Sequence, residues 1–87
     1  MDQDYKENNY YLKRDETNLE KIRIICSELP SFVREFIVGI QLRTSTLTRL
    51  NYVYDLRIFF DYLEKNVVRN KKITEISLSD LETLSAF

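Results

Sequence analysis

The sequence predicts a small all-α domain of four helices. Apolar side chains recur at the i, i+3, i+4 spacing of helix faces, and no stretch alternates apolar and polar residues as a half-buried strand does. The longest patterned stretch, residues 45–63, contains neither glycine nor proline. A chain of 87 residues has room for one thin core.

The first two helices are expected on either side of the single proline. Residues 1–16 are polar and lack an apolar stripe, which predicts a flexible N-terminal arm. Thr17 and Glu20 have the form of a capping box, so a first helix is expected to begin there and to end before Pro30. Ser31 is expected to cap the second helix. The apolar stripe of that helix comprises Phe32, Val33, Phe36, Ile37 and Ile40.

The third helix is expected over residues 45–66, a length of about 30 Å at 1.5 Å per residue. Its core-facing stripe is predicted to comprise Tyr52, Val53, Leu56, Phe59, Phe60 and Leu63. Asn51 lies on the opposite side, at about 100° per residue, and is therefore expected to be free for contacts. Leu47, Tyr54 and Ile58 share that outer side.

A basic connector, residues 67–72, precedes the fourth helix. The N-terminus of the fourth helix is expected to be capped by Ser77 with Asp80 or by Ser79 with Glu82. Only three apolar positions follow for its stripe, Leu81, Leu84 and Phe87. The last helix is therefore expected to be truncated, and the chain to be part of a longer protein.

Composition argues against catalysis by this chain alone. A single cysteine excludes an internal disulfide, and without histidine the usual zinc and iron ligand sets cannot form, so no cofactor and no metal site are expected. Cys26 lies on an apolar face and is interpreted as a core residue, not a nucleophile. No signal peptide or bilayer-length apolar run is present, which favours a cytoplasmic protein without membrane contact.

The formal net charge is −1, but the charges are unevenly distributed. Residues 31–72 carry eight basic and four acidic side chains, whereas residues 1–30 and 73–87 each carry more acidic than basic ones. A basic central surface suits a phosphate-bearing partner, because fields are screened beyond about 10 Å at 0.1 M salt. An ordinary mixed surface is the alternative.

The third helix also carries a specific pattern, formed by Ser45, Thr48, Tyr52, Asp55, Leu56, Phe59, Tyr62 and Leu63. This pattern resembles the central helix of the N-terminal core-binding (SAM-like) domain of phage-integrase-type tyrosine recombinases. Weaker similarity extends it to residues 29–84.

The resemblance implies that residues 17–87 form an orthogonal four-helix bundle, half of a clamp on duplex DNA during DNA integration and recombination. In that family the catalytic residues lie in a separate C-terminal domain. The partners it implies are double-stranded DNA, the catalytic domain of the same parent protein and further recombinase protomers on DNA.

Seven residues are predicted to contact DNA: Arg43, Ser45, Thr46, Thr48, Arg49, Asn51 and Arg57. The hydroxyl groups lie at a helix N-terminus, where free N–H groups and the helix dipole favour a phosphate, although the same hydroxyls also serve as N-caps. The arginines are phosphate candidates. Asn51 precedes Tyr52, a position that the family uses for DNA contact, and is the strongest candidate for a base edge.

Two other functions compete with DNA binding. The first is a small helical protein-interaction module, because Leu47, Tyr54 and Ile58 would leave an apolar patch on the outer face of the third helix. The second is a helix-turn-helix regulator, which is disfavoured because no short helix pair is joined by a tight turn containing glycine.

Overall fold

The computed structural model describes the backbone of residues 2–85 and the side chains of residues 12–84. In chain order the helices are α1 (Asp2–Ser27), α2 (Ser31–Gly39), α3 (Thr46–Asn66), a 3₁₀ turn (Ile73–Glu75) and α4 (Leu78–Ser85). Over residues 2–85 there is no strand. The predicted all-α class with four α-helices is confirmed.

Helix α1 begins at Asp2, so the predicted start of the first helix at Thr17 is wrong. The Thr17 hydroxyl donates to the carbonyl of Lys13 at 2.9 Å, a bond inside the helix and not a cap. Glu20 pairs instead with Arg23, one turn further along, at 2.6 Å. At the end of this polar stretch Asp15 contacts Thr46 of α3 through a hydrogen bond, a contact that needs no apolar stripe.

Helix α2 begins directly after Pro30. Pro30 takes the N-cap position with φ −58° and ψ 149°, and the cap has no side-chain hydrogen bond. Ser31 is therefore the first helical residue, and its predicted role as the N-cap is wrong. The fixed φ of proline directs the chain into the helix without a hydroxyl cap.

Helix α3 has the predicted start, and the predicted buried stripe is confirmed in part, at Val53, Phe60 and Leu63. Ser45 is the N-cap, and its Oγ accepts the N–H of Thr48 at 3.1 Å. Phe60 is 1% exposed, whereas Phe59 is 45% exposed and packs edge-on against the Phe60 ring. The buried positions on this helix are Thr46, Leu50, Val53, Phe60 and Leu63. The core face is therefore rotated away from Tyr52 and Phe59, toward the residues that meet α1.

The core lies between α1, α2 and α3 and is closed by the 3₁₀ turn. Phe32 of α2 meets Phe60 of α3 edge-on, with ring centroids 5.8 Å apart. The buried apolar residues are Ile22, Cys26, Leu29, Val33, Ile37, Leu50, Val53, Phe60, Leu63, Ile73 and Ile76. Most of them come from three different helices, so α3 packs along α1 as the centre of the bundle.

Helix α4 is fixed by the capping box that Ser77 and Asp80 were predicted to form. The Ser77 N–H donates to Asp80 Oδ2 at 2.9 Å, and the Asp80 N–H donates to Ser77 Oγ at 3.2 Å. Lys71 donates to both oxygens of Asp80, which ties the basic connector to this helix. Leu81 and Leu84 pack against the core, and Phe87 lies outside the described residues.

Candidate functional site

The three hydroxyl groups at the start of α3 have different environments. Thr46 is 8% exposed, its Oγ1 donates to Asp15 Oδ1 at 2.7 Å, and it accepts the Asn18 amide at 3.1 Å. Its hydrogen-bonding groups are therefore directed at α1. The Thr46 hydroxyl is therefore buried and engaged by α1, unlike the exposed Ser45 beside it.

The same contact places a carboxylate at the N-terminus of α3. Asp15 reaches Thr46, the first residue of the helix, so its negative charge lies where a phosphate was expected. A carboxylate there stabilises the positive end of the helix dipole. Arg14 Nη2 lies 4.0 Å from the Asp15 carboxylate. A phosphate that approaches the first turn of α3 would therefore have the Asp15 carboxylate beside it.

Ser45 and Thr48 form a closed cap with one available proton. Ser45 Oγ accepts the Thr48 N–H and donates to Thr48 Oγ1 at 3.0 Å. Because Thr48 Oγ1 is the acceptor in the second bond, its own hydroxyl proton is free to donate outward. Ser45 is exposed and Thr48 is half-buried. Capping therefore engages Ser45 fully and leaves Thr48 as the hydroxyl donor of the surface.

Arg43, Arg49 and Asn51 are the predicted residues that remain accessible. Arg43 and Asn51 are exposed, and neither side chain has a hydrogen bond or ion pair to another described residue. Arg49 is half-buried, and its Nε donates to the Ser45 carbonyl at 3.4 Å. A guanidinium has five N–H donors, so Arg49 keeps four for a ligand.

Arg57 has a structural partner. Its Nη1 forms an ion pair with Glu28 Oε2, just after the end of α1. Both side chains are partly exposed, at 39% and 50%. The pair links α3 to the residue after α1 and uses part of the Arg57 guanidinium, so phosphate contact by Arg57 stays a prediction.

Sequence reasoning missed two arginines that the fold brings near Arg49. Arg23 of α1, Arg34 of α2 and Arg49 of α3 line one cleft of about 500 Å³, which we call the arginine cleft. Its other lining residues are Leu19, Ile22, Cys26, Ser27, Ile37, Val38 and Gln41. No local signal marks this group, because each arginine comes from a different helix.

Cys26 lies in the floor of the arginine cleft and is buried. Burial raises the pKa of the Cys26 thiol, and the positive charge of Arg34 partly offsets this effect. A thiol with a raised pKa is a poor nucleophile at neutral pH. Among the described residues no three His, Cys, Asp or Glu side chains are grouped to hold a metal ion.

No helix within residues 2–85 is both long enough and apolar enough to cross a membrane.

Comparison of the chain with protein families, curated protein sequences and solved structures finds no match. The functional assignment therefore depends on the residues and their geometry.

Proposed function

We propose that this chain is the DNA-binding module of a site-specific tyrosine recombinase or integrase, and that it contacts duplex DNA with the start of α3. One observation carries the proposal. Residues 36–54 contain no aspartate or glutamate, and within them Arg43, Arg49 and Asn51 present side-chain donors beside the N-terminal turns of a helix.

The accessible residues would contact different parts of the DNA. Arg43 and Arg49 are fixed positive charges that suit phosphates, whereas the Asn51 amide has both a donor and an acceptor for a base edge. Thr48 adds a neutral hydroxyl donor. Asp15 opposes phosphate binding near the helix N-terminus, so we expect weak contact by this chain alone. Its Kd should lie on the order of 10⁻⁴–10⁻⁶ M, the range of non-specific DNA binding.

In this proposal the recombination chemistry belongs to a catalytic domain of the same parent protein. This chain would hold the duplex while further protomers assemble on the DNA. The resemblance in residues 45–63 supports the catalytic domain and the protomers as partners, and the basic middle of the chain supports the DNA duplex. A phage-integrase-type protein would act in the cytoplasm, where its DNA substrate is.

The proposal is tested by fluorescence anisotropy with a labelled duplex over a range of salt concentrations. Arg49→Ala should lower the slope of log affinity against log salt by about 0.9, because one phosphate contact is lost. Asn51→Ala should leave the slope unchanged, because an amide releases no counterion. In the full-length recombinase, Asn51→Ala should reduce discrimination between cognate and scrambled sites by about 1–3 kcal/mol.

Lys65→Ala is the matched control. Lys65 is an exposed cation on the same helix and pairs with Asp61 at the opposite end, about 24 Å from Arg49 at 1.5 Å per residue. This variant should bind DNA like the parent chain. Equal losses from Lys65→Ala and Arg49→Ala, or no binding to any duplex below about 1 mM protein at low salt, would refute DNA contact by the start of α3.

A protein-interaction module is the second candidate, and the outer face of α3 favours it. Leu47 and Tyr54 are about half exposed, and Ile58 is 71% exposed. Adjacent exposed apolar side chains on one face are typical of a partner surface. Salt separates the two functions, because affinity for DNA falls steeply with salt whereas an apolar interface is insensitive to it.

A further inference from the structure

The arginine cleft concentrates positive charge that no hydrogen bond or ion pair fully neutralises. Its lining contains three guanidinium groups and no carboxylate. Glu20 lies outside the lining and pairs with Arg23 at 2.6 Å. Arg34 forms no hydrogen bond or ion pair with another described side chain. Counting Glu20, the cleft has a net charge of +2.

The donors that line the cleft come from three helices. Arg34 is exposed on α2, and Arg49 on α3 uses only its Nε for the Ser45 carbonyl. Arg23 shares one Nη with Glu20 and keeps its remaining N–H groups. Gln41, just after α2, adds an amide donor at the rim. A planar guanidinium fork binds two oxygens of one phosphate, so this set suits a phosphate group with several acceptor oxygens.

The floor of the cleft is apolar. Ile22, Cys26 and Ile37 are buried there, whereas the apolar lining residues Leu19 and Val38 are about half exposed. The volume of about 500 Å³ is in the range of small-molecule sites. Inorganic phosphate would fill only part of this space and would leave the apolar floor in water. A ligand that matches the whole cleft has an anionic head and a small apolar body.

We propose that the arginine cleft binds a phosphate monoester with a small apolar or aromatic body. Arg23, Arg34 and Arg49 hold the phosphate, and the apolar floor covers the body. A phosphate monoester carries a charge of about −1.5 to −2 at pH 7, which matches the charge of the cleft. The phosphate monoester is either a free small molecule or the 5′ end of a DNA strand.

Calorimetry on the whole chain at low salt tests the proposal with phenyl phosphate as the probe. Phenyl phosphate should bind saturably below about 10 mM. Inorganic phosphate, which lacks the body, and benzoate, which has one negative charge, should each bind more weakly. A duplex with a 5′-phosphate, compared with the same duplex ending in a 5′-hydroxyl, shows whether the DNA end is the source of the monoester.

Substitutions of single arginines test whether phenyl phosphate binds in the arginine cleft. Arg34→Ala should weaken phenyl phosphate binding about tenfold or more, because a charge-assisted hydrogen-bonded pair is lost. Arg34→Lys should recover part of the affinity, because it keeps the charge but loses the fork. Arg69→Ala is the matched control, since Arg69 is an exposed arginine beside Glu64 in a different part of the surface. Circular dichroism confirms that each variant is folded.

Three results would overturn the proposal: no saturable binding of either monoester, equal weakening by Arg34→Ala and Arg69→Ala, or inorganic phosphate binding as tightly as phenyl phosphate. The outcome is separable from that of the proposed DNA contact. Asn51 and Arg43 do not line the cleft, so their substitution should change duplex binding and leave phenyl phosphate binding intact.

Discussion

The contact between α1 and the start of α3 should be a principal source of stability, and Thr46→Val tests it. Valine has the shape of threonine but lacks the hydroxyl group. The Asn18 amide, which is buried, would lose its acceptor at 3.1 Å, and Asp15 would lose a donor at 2.7 Å. Asp15 is half-buried and can turn to water, so most of the cost comes from Asn18.

A buried polar group left without a hydrogen-bond partner lowers the free energy of unfolding by about 1–3 kcal/mol. For a domain of this size each kcal/mol lowers the melting temperature by about 4–8 °C. Thermal melts followed by circular dichroism measure the change, and urea unfolding gives the free energy of unfolding.

Thr48→Val is the matched control, since Thr48 lies one half-turn further along α3 and its hydroxyl contacts only the exposed Ser45. Its backbone N–H still donates to Ser45, so the N-cap is kept. We expect a change within about 0.5 kcal/mol. If Thr46→Val lowered the free energy of unfolding no more than Thr48→Val does, the polar contact between α1 and α3 would not stabilise the fold.

Two further predictions concern the core and α4. Phe60→Ala should lower the free energy of unfolding by about 3–5 kcal/mol and bring the domain close to unfolding. Phe59→Ala should lower it by roughly 1 kcal/mol, because about half of that ring is already in water. Equal losses of the two variants in urea unfolding would contradict the assigned core face. The Ser77 N–H and the Lys71 ammonium hold the pKa of Asp80 below its ordinary value of 3.8. Stability from this carboxylate is therefore present above about pH 4 and is lost as the pH falls through the lowered folded-state pKa. Asp80→Asn should remove this component of the acid dependence, and an unchanged acid limb of the stability curve would refute it.

The features that the sequence predicted correctly depend on groups close together in the chain. The Ser45 cap and the capping box of Ser77 and Asp80 each join residues three positions apart. Pro30 separates the first two helices for an equally local reason, its fixed φ and missing N–H. In contrast, the contact of Asp15 with α3 could not be predicted, because its partner Thr46 is 31 residues away.

The buried face of α3 shows why periodicity alone was insufficient. Both sides of this helix carry large apolar residues, so a 3.6-residue repeat fits more than one stripe. Packing against α1 and α2 selected Leu50 and Phe60 and left Tyr52 and Phe59 about half exposed. The order of residues therefore established an amphipathic helix, and the neighbouring helices determined which side became the core.

The candidate site divides in the same way. Sequence alone determined the all-α class and the start of α3 at Ser45, since these follow from local hydrogen bonding and helical geometry. Only the tertiary structure decided which polar groups are free for a ligand. Thr46 and Arg57 are engaged by α1 and the residue after it, and Arg34 reaches the cleft beside Arg49 because α2 folds back toward α3. A side chain's availability depends on partners that are distant in the sequence, and chain folding brings these partners together.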